Sequence, residues 1–395
     1  MKPLLHALLL SCLAICAVAQ GVPPPVRVTI KSEILHEDRL VLVRLPRGYD
    51  STTHRYPVIY MTDGSSGMPH AISTIEFLVR NSRMPDVIVV GIENTDRNRD
   101  LTPTRLASGT EGFDFDISSS GGADNFLRFI ETELMPEMDK RYRTGPYRIF
   151  AGHSFGGLFA VHALITRPEL FGAYIAASPS LQWDKMFEVK RAEKFFKERK
   201  DLNKTLFITI GDEGGPMQQS HDRLVDILKS KAPKNFVWSM MPMLDEDHGS
   251  SVLRAYYFGL RKVFSDWRVP VDPGTKAVAG GVKGADEHYR KISEKYGLSL
   301  RTPEAVINRI GYEYVRSQRY AEAVGAFKIN VERFPQSANA YDSLAEGYTF
   351  TKQYALALES AKTAVRLGEQ AKLPNVVIFR DRMDKLAAGL DKAGK

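Results

Sequence analysis

Across residues 26 to 267, short runs rich in Val and Ile alternate with amphipathic stretches, and this alternation constrains the fold more than any other feature of the chain. Strand-like runs fall at 40–45, 56–62, 87–92, 147–151, 173–177, 205–210 and 236–241. Helical periodicity occupies 124–138, 154–165, 218–229 and 251–267. Apolar strands separated by helices predict an α/β architecture: a doubly wound, mostly parallel sheet covered on both faces. With 395 residues, 43% hydrophobic and 26% charged, the chain is long enough for this unit and a second one.

Composition adds boundaries at both ends. Lys2 followed by the apolar run from Leu4 to Val18 and the small-residue site Ala17-Val18-Ala19 reads as an export signal cleaved after residue 19. An apolar run of about 15 residues falls short of the ~20 that a spanning helix needs. Cys16 raises a lipid anchor as a second reading, although the bulky Ile15 precedes it. The expected location is periplasmic or secreted, with no membrane span in the mature chain. Both cysteines lie inside this leader, so the remainder is expected to fold without disulfides. The net charge of +7 is spread along the chain rather than gathered between exposed aromatics, which argues against nucleic-acid binding.

Between 268 and 300 the periodicity weakens at Pro270, Pro273, Gly274, Ala279-Gly280-Gly281 and Gly284, which predicts a linker. Beyond it, Ile310 and Leu344, Tyr314 and Tyr348, and Tyr320 and Tyr354 each stand 34 residues apart, the period of tetratricopeptide helix pairs. The expected division is a signal at 1–19, a catalytic unit at 20–267, a linker at 268–300, and a small all-α repeat domain at 301–395. A capping helix is expected at 374–390. The recurring aromatic positions are expected to fill the core between helices, and any partner would meet the concave face.

The chemistry concentrates at Gly152-His153-Ser154-Phe155-Gly156-Gly157, placed between a strand and a helix. G-x-S-x-G in that setting forms a sharp turn with an exposed serine hydroxyl, and the helix that follows points its positive end at a developing oxyanion. A serine nucleophile needs a base held by a carboxylate. Of the downstream histidines, His162 lies two turns along the nucleophile helix, His221 within a helical stretch where a solvated surface position is the default, and His288 in the linker. His248 follows the last strand in the loop Asp245-Glu246-Asp247-His248-Gly249-Ser250-Ser251 and is the expected base. For the acid, Gly211-Asp212-Glu213-Gly214-Gly215 ends the preceding strand. Asp212 and Glu213 are both candidates, and Glu213 is favoured because Asp212 serves equally well as a turn residue or helix cap. Backbone N–H groups of Ser65, in the loop Asp63-Gly64-Ser65-Ser66-Gly67, and of Phe155 are expected to form the oxyanion hole. No second acidic cluster accompanies residues 245–247, so no metal site is expected.

Tyr60-Met61-Thr62-Asp63-Gly64, the Ser154 turn, Ser178-Pro179-Ser180 with Trp183, and Asp247-His248-Gly249-Ser250 together resemble the esterase D-type family of α/β hydrolases. Its relatives include siderophore, feruloyl and acetylxylan esterases and the mycolyltransferases. The resemblance implies cofactor-free ester hydrolysis through an acyl-enzyme, with Ser154, Glu213 and His248 as the triad and Ser65 and Phe155 in the oxyanion hole. No carboxylate stands three residues after Gly211, a position often used in such folds. Trp183 is expected either to line the substrate pocket or to pack beneath the loop, and the stretch from Asn94 to Thr104, with Arg97, Arg99 and Asp100, to supply a polar rim. The partner is then a small-molecule or polymer-linked ester, with a protein partner at the repeats. An acyltransferase with the same triad, and a repeat-bearing scaffold with a vestigial hydrolase unit, are the competing readings.

Overall fold

The computed structural model describes residues 24–107, 115–271 and 277–393. The expected export signal with its two cysteines lies outside the described residues, as do Pro273 and Gly274. Strands β1 (Val26–Ser32), β2 (Glu37–Arg44), β3 (Tyr56–Met61), β4 (Ile88–Ile92), β5 (Thr144–His153), β6 (Ala173–Ala177), β7 (Thr205–Gly211) and β8 (Val237–Met243) form one sheet in the order β1-β2-β4-β3-β5-β6-β7-β8. β1 and β2 run antiparallel to their neighbours. From β4 through β8 every pairing is parallel. The expected α/β sheet is therefore present, with one edge strand, β1, that the apolar pattern did not flag.

The helices of this unit are α1 (Gly64–Arg80), α2 (Arg97–Leu101), α3 (Ala123–Phe129), α4 (Met135–Arg141), α5 (Phe155–Thr166), α6 (Trp183–Glu198), α7 (Gly215–Lys231) and α8 (Ser251–Val263). A π-helical turn joins α3 to α4, so the stretch at 124–138 is helical throughout. Residues 155–165 of α5 are all buried, which is why its pattern is apolar all round. Three helices escaped the sequence pattern, the five-residue α2 among them. The residues taken for a glycine-rich loop after Asp63 form the first turn of α1, which carries Pro69 inside it. α6 begins with left-handed backbone at Asp184, Lys185 and Met186, so its first turn breaks the helical periodicity.

Two apolar cores lie on the sheet faces. One gathers Tyr60, Phe150, Phe159, Phe171 and Tyr174, the other Ile59, Met61, Ile149, Ile175, Tyr256 and Leu260. Neighbouring residues of β3, β5 and β6 thus enter opposite cores, as the alternation of a pleated strand requires.

The segment expected as a linker is largely a helix, α9 (Gly281–Tyr296). Its last turn belongs to the second sheet core: Ile292 and Tyr296 are buried there. The Tyr296 ring meets Tyr147 edge-on at 4.8 Å and Phe264 at 5.2 Å, and its hydroxyl donates to the Val263 carbonyl at 3.2 Å. Glycines at 280, 281 and 284 disguised the helix, whose Val282 and Ala285 pack with Ile307 and Ile310 while Ile292 and Tyr296 pack on the sheet.

Five more helices follow: α10 (Glu304–Arg316), α11 (Tyr320–Arg333), α12 (Ala338–Phe350), α13 (Tyr354–Gln370) and α14 (Val376–Ala393). The pairs α10–α11 and α12–α13 start 34 residues apart. Ala323, Phe327, Leu344, Tyr348, Ala357 and Ala361 pack between them, so the Ile310/Leu344 and Tyr314/Tyr348 positions face the cores, whereas Tyr320 is half-buried and Tyr354 exposed. α14 closes the array through Phe379 and Leu386. Asp286 of α9 joins that helix to the array by accepting from Arg333 at 2.6 Å and from Thr302 at 2.6 Å. Among the described residues, no helix is long and apolar enough to cross a membrane.

Candidate active site

Ser154 sits between the end of β5 and the start of α5 with φ 60° and ψ −115°. That conformation is rare for a side-chain-bearing residue and marks a strained turn. The glycines around it answer a packing demand. A Cβ on Gly152 would lie 2.3 Å from the Gly156 carbonyl oxygen, and one on Gly156 would lie 2.3 Å from Thr62 Oγ1. The Ser154 amide donates to the Ala177 carbonyl at 3.0 Å, and its carbonyl accepts from Leu158 at 2.9 Å and Ser180 at 3.1 Å. Its hydroxyl lies 3.2 Å from that of Ser180.

Ser154 opens into a cleft of about 580 Å³ lined by Arg97, Phe115, Phe155, Ser180, Gln182, Asp212, Glu213, Met217 and His248 as well. The three residues expected as a triad therefore share one cleft at the C-terminal ends of the strands, where open α/β sheets generally bind ligands. Glu213 Oε1 is 3.1 Å from His248 Nδ1. The approach is oblique, and Nδ1 makes no well-aligned hydrogen bond. Burial pushes the Glu213 carboxyl upward, but contacts with His248 and Ser178 and the Gly211 N–H outweigh it and hold the group below the usual carboxylate range. Glu213 is thus ionised beside the imidazole. Asp212 also lines the cleft, but the residue is exposed and its amide donates across to the Glu246 carbonyl of the His248 loop at 2.8 Å.

The loop carrying His248 is stiffened locally. Asp247 Oδ1 accepts from the amides of Gly249 and Ser250 at 2.9 and 2.7 Å. Asp245 and Glu246 pair with Arg254. The acidic run is consumed by these contacts.

Other expectations change position. Trp183 does not line the cleft. It is 1% exposed, stands edge-on behind Phe155 at 5.2 Å, and donates its indole N–H to Thr104 at 3.0 Å. Of its two expected roles, packing is the one its burial allows. Arg97 does line the cleft, bonded to Asp63 at 2.7 Å and to the His153 carbonyl at 3.0 Å. Arg99 and Asp100 turn the other way, toward Glu37 and the fully buried Arg39, so they anchor the rim from beneath. Ser65 is the second residue of α1, with its hydroxyl on Glu93, and is not among the residues lining the cleft. His221, expected at the surface, is fully buried. His162 is buried between Asp124 at 3.1 Å and Glu188 at 2.9 Å. His288 is on α9, away from the cleft. Ser178 and Ser180 carried no assigned role in the sequence reading; their nearness to Glu213 and Ser154 depends on a chain crossing that local pattern does not reveal.

Residues 32–240 match the family described as "Putative esterase". The chain belongs to this esterase family. The ferri-bacillibactin esterase BesA of Bacillus subtilis is 36% identical over 182 residues, covering 42% of this chain and 61% of that one. The chain thus spans less than two thirds of that curated relative. Among solved structures, an IroE-like serine hydrolase from Shewanella oneidensis matches with a TM-score of 0.64 and 30% identity, over 74% of the esterase-family chain and 95% of the other. An uncharacterised protein from Capnocytophaga ochracea shares the fold over 92% of the chain and 99% of its own, with a TM-score of 0.67 and 14% identity.

Proposed function

We propose that this esterase-family chain is a serine carboxylic-ester hydrolase working through an acyl-enzyme. The observation that carries the reading is Ser154 on its positive-φ turn, in one cleft with His248, whose ring Nδ1 lies 3.1 Å from Glu213. Ser154 Oγ attacks the ester carbonyl while His248 Nε2 takes its proton, and the ionised Glu213 stabilises the imidazolium through Nδ1. The oblique resting contact tightens as charge develops, as is common for unliganded sites. Phe155, at the positive end of α5, donates its N–H to the oxyanion. His248 returns the proton to the leaving alcohol, and water then releases the acyl group by the same steps. The reaction needs no cofactor.

The name of the Bacillus relative puts siderophore esters first among the substrates. The paired helices at 34-residue spacing support a tetratricopeptide-like array that docks a protein partner, and the leader at 1–19 supports export of the chain. The decisive experiment measures hydrolysis of p-nitrophenyl acetate, a ferric catecholate trilactone, a feruloyl ester and an acetylated sugar by the wild type and by Ser154→Ala. We expect Ser154→Ala to fold and to lose activity by at least about 10⁴-fold. Retention of more than about a tenth would remove Ser154 as nucleophile.

A further inference from the structure

His153, the variable residue inside the G-x-S-x-G turn, has an apolar or solvent-facing role by default. Its surroundings say otherwise. The ring lies 4.5 Å from the His248 ring, tilted by 44°, and Nε2 is 2.7 Å from the His248 main-chain carbonyl oxygen. A carbonyl only accepts, so His153 carries its proton on Nε2 and donates it. The same carbonyl accepts from Ser251 Oγ at 3.2 Å, and Ser251 Oγ in turn lies 3.3 Å from Ser178 Oγ, beside the acid. On the other side, the His153 carbonyl accepts from Arg97, which Asp63 holds. Residues 153 and 154 are adjacent, so whatever fixes His153 to His248 also fixes the nucleophile to its base.

We propose that His153 is a positioning residue for the reaction: by donating Nε2–H to the His248 carbonyl, it ties the loop that bears the base to the strand end that bears the nucleophile. The inference rests on the serine-hydrolase reading above. The contact is neutral at working pH. Burial first, then the neighbouring His248 and Arg97, push the His153 imidazole down to about 4, against a smaller upward pull from the His248 carbonyl and Asp63. A neutral ring donates without repelling the imidazolium that forms on His248 during turnover. His248 is about 40% exposed at its side chain and belongs to a surface loop; Asp247 and Arg254 stiffen that loop within itself, and the His153 contact ties it to the strand end that bears Ser154.

The experiment compares His153→Phe, which keeps the ring volume, with His153→Gln, whose amide reaches as far as Nε2 and keeps an N–H donor. Both are assayed with p-nitrophenyl acetate, and Ser154 is titrated with a fluorophosphonate to read nucleophile activation independently of substrate fit. We expect His153→Phe to lower kcat and the labelling rate by about 10- to 100-fold with KM within about threefold, and His153→Gln to recover both to within about fivefold of wild type. Should His153→Phe fail to fold, His153→Asn replaces it, since its shorter amide cannot reach the carbonyl. A donor-free variant with near-wild-type kcat, or a His153→Gln variant as impaired as the donor-free one, overturns the proposal. Ser154→Ala run alongside separates the cases: if it stays active, the hydrolase reading itself has failed; if it is inactive while His153→Phe is not, only this inference has.

Discussion

The two ends of β5 carry opposite kinds of chemistry. At its C-terminal end, His153 and Ser154 meet charged and polar side chains in an open cleft, and the backbone is held in a rare conformation. Near its N-terminal end, Tyr147 is packed by Tyr296, Phe264 and, through Tyr296, Trp267. The two sites are seven residues apart on one extended strand, about 20 Å. The C-terminal helices attach at the aromatic end through α9, so they brace the sheet at the edge remote from the cleft. Among the described residues, none of the helical array lines the Ser154 cleft. The rare-φ turn and the dense aromatic packing thus sit at opposite ends of a single strand.

That contrast can be broken in several ways. At the catalytic end, Glu213→Gln replaces the charge at His248 Nδ1 and is expected to cut turnover of a simple ester by roughly 10²–10⁴, whereas Asp212→Asn changes it by less than about tenfold. Steady-state kinetics decide the ranking, and a reversed ranking moves the acid to Asp212. Because Glu213 is held below the usual carboxylate range, it remains ionised as pH falls toward 5, so a loss of activity over that range does not come from protonation of Glu213.

At the packed end, ending the chain at Asp266 removes Ile292 and Tyr296 from the sheet core and uncovers Tyr147 and Phe264. The expected result is a large fall in Tm, or no folded protein. An unchanged Tm would mean that α9 is an ornament on a self-sufficient unit. Tyr296→Ala sharpens the same point by a single residue: a loss of about 3–5 kcal/mol in urea unfolding, with kcat/KM within about twofold of wild type where the protein is folded. A selective loss of turnover at full stability would show that the two ends communicate. The smallest effect belongs to Trp183→Phe. It removes the bond to Thr104 behind the cleft wall and is expected to cost about 1 kcal/mol of stability while leaving KM for a small ester within about threefold.

The seven strands that the apolar runs marked are all present; six are largely buried, whereas β8, at the sheet edge, has only Met243 buried and shows that an apolar run can also mark an edge strand. β1 was missed because Arg27, Thr29 and Lys31 face outward between its buried residues, as befits an edge strand. Ser154 stands in its turn because G-x-S-x-G between strand and helix is a local pattern with a steric cause. His248 and Glu213 came from their places after β8 and β7, and the sheet order brings those strands side by side. Trp183 was ambiguous because an indole after a turn suits a pocket wall as well as the layer behind it. Only the presence of Phe155 in front of it decides between them.

By itself, the sequence determined the layered α/β unit, the Ser154 turn and the 34-residue helix spacing, because each depends on periodicity or sterics within a few residues. The tertiary structure alone decided that Glu213 and not Asp212 approaches His248. It also decided that Arg97 faces the cleft while Arg99 faces away, and that the supposed linker is a helix locked into the sheet. These outcomes turn on which side chains meet across strands and helices distant in sequence, where a shift of one residue reverses the face presented.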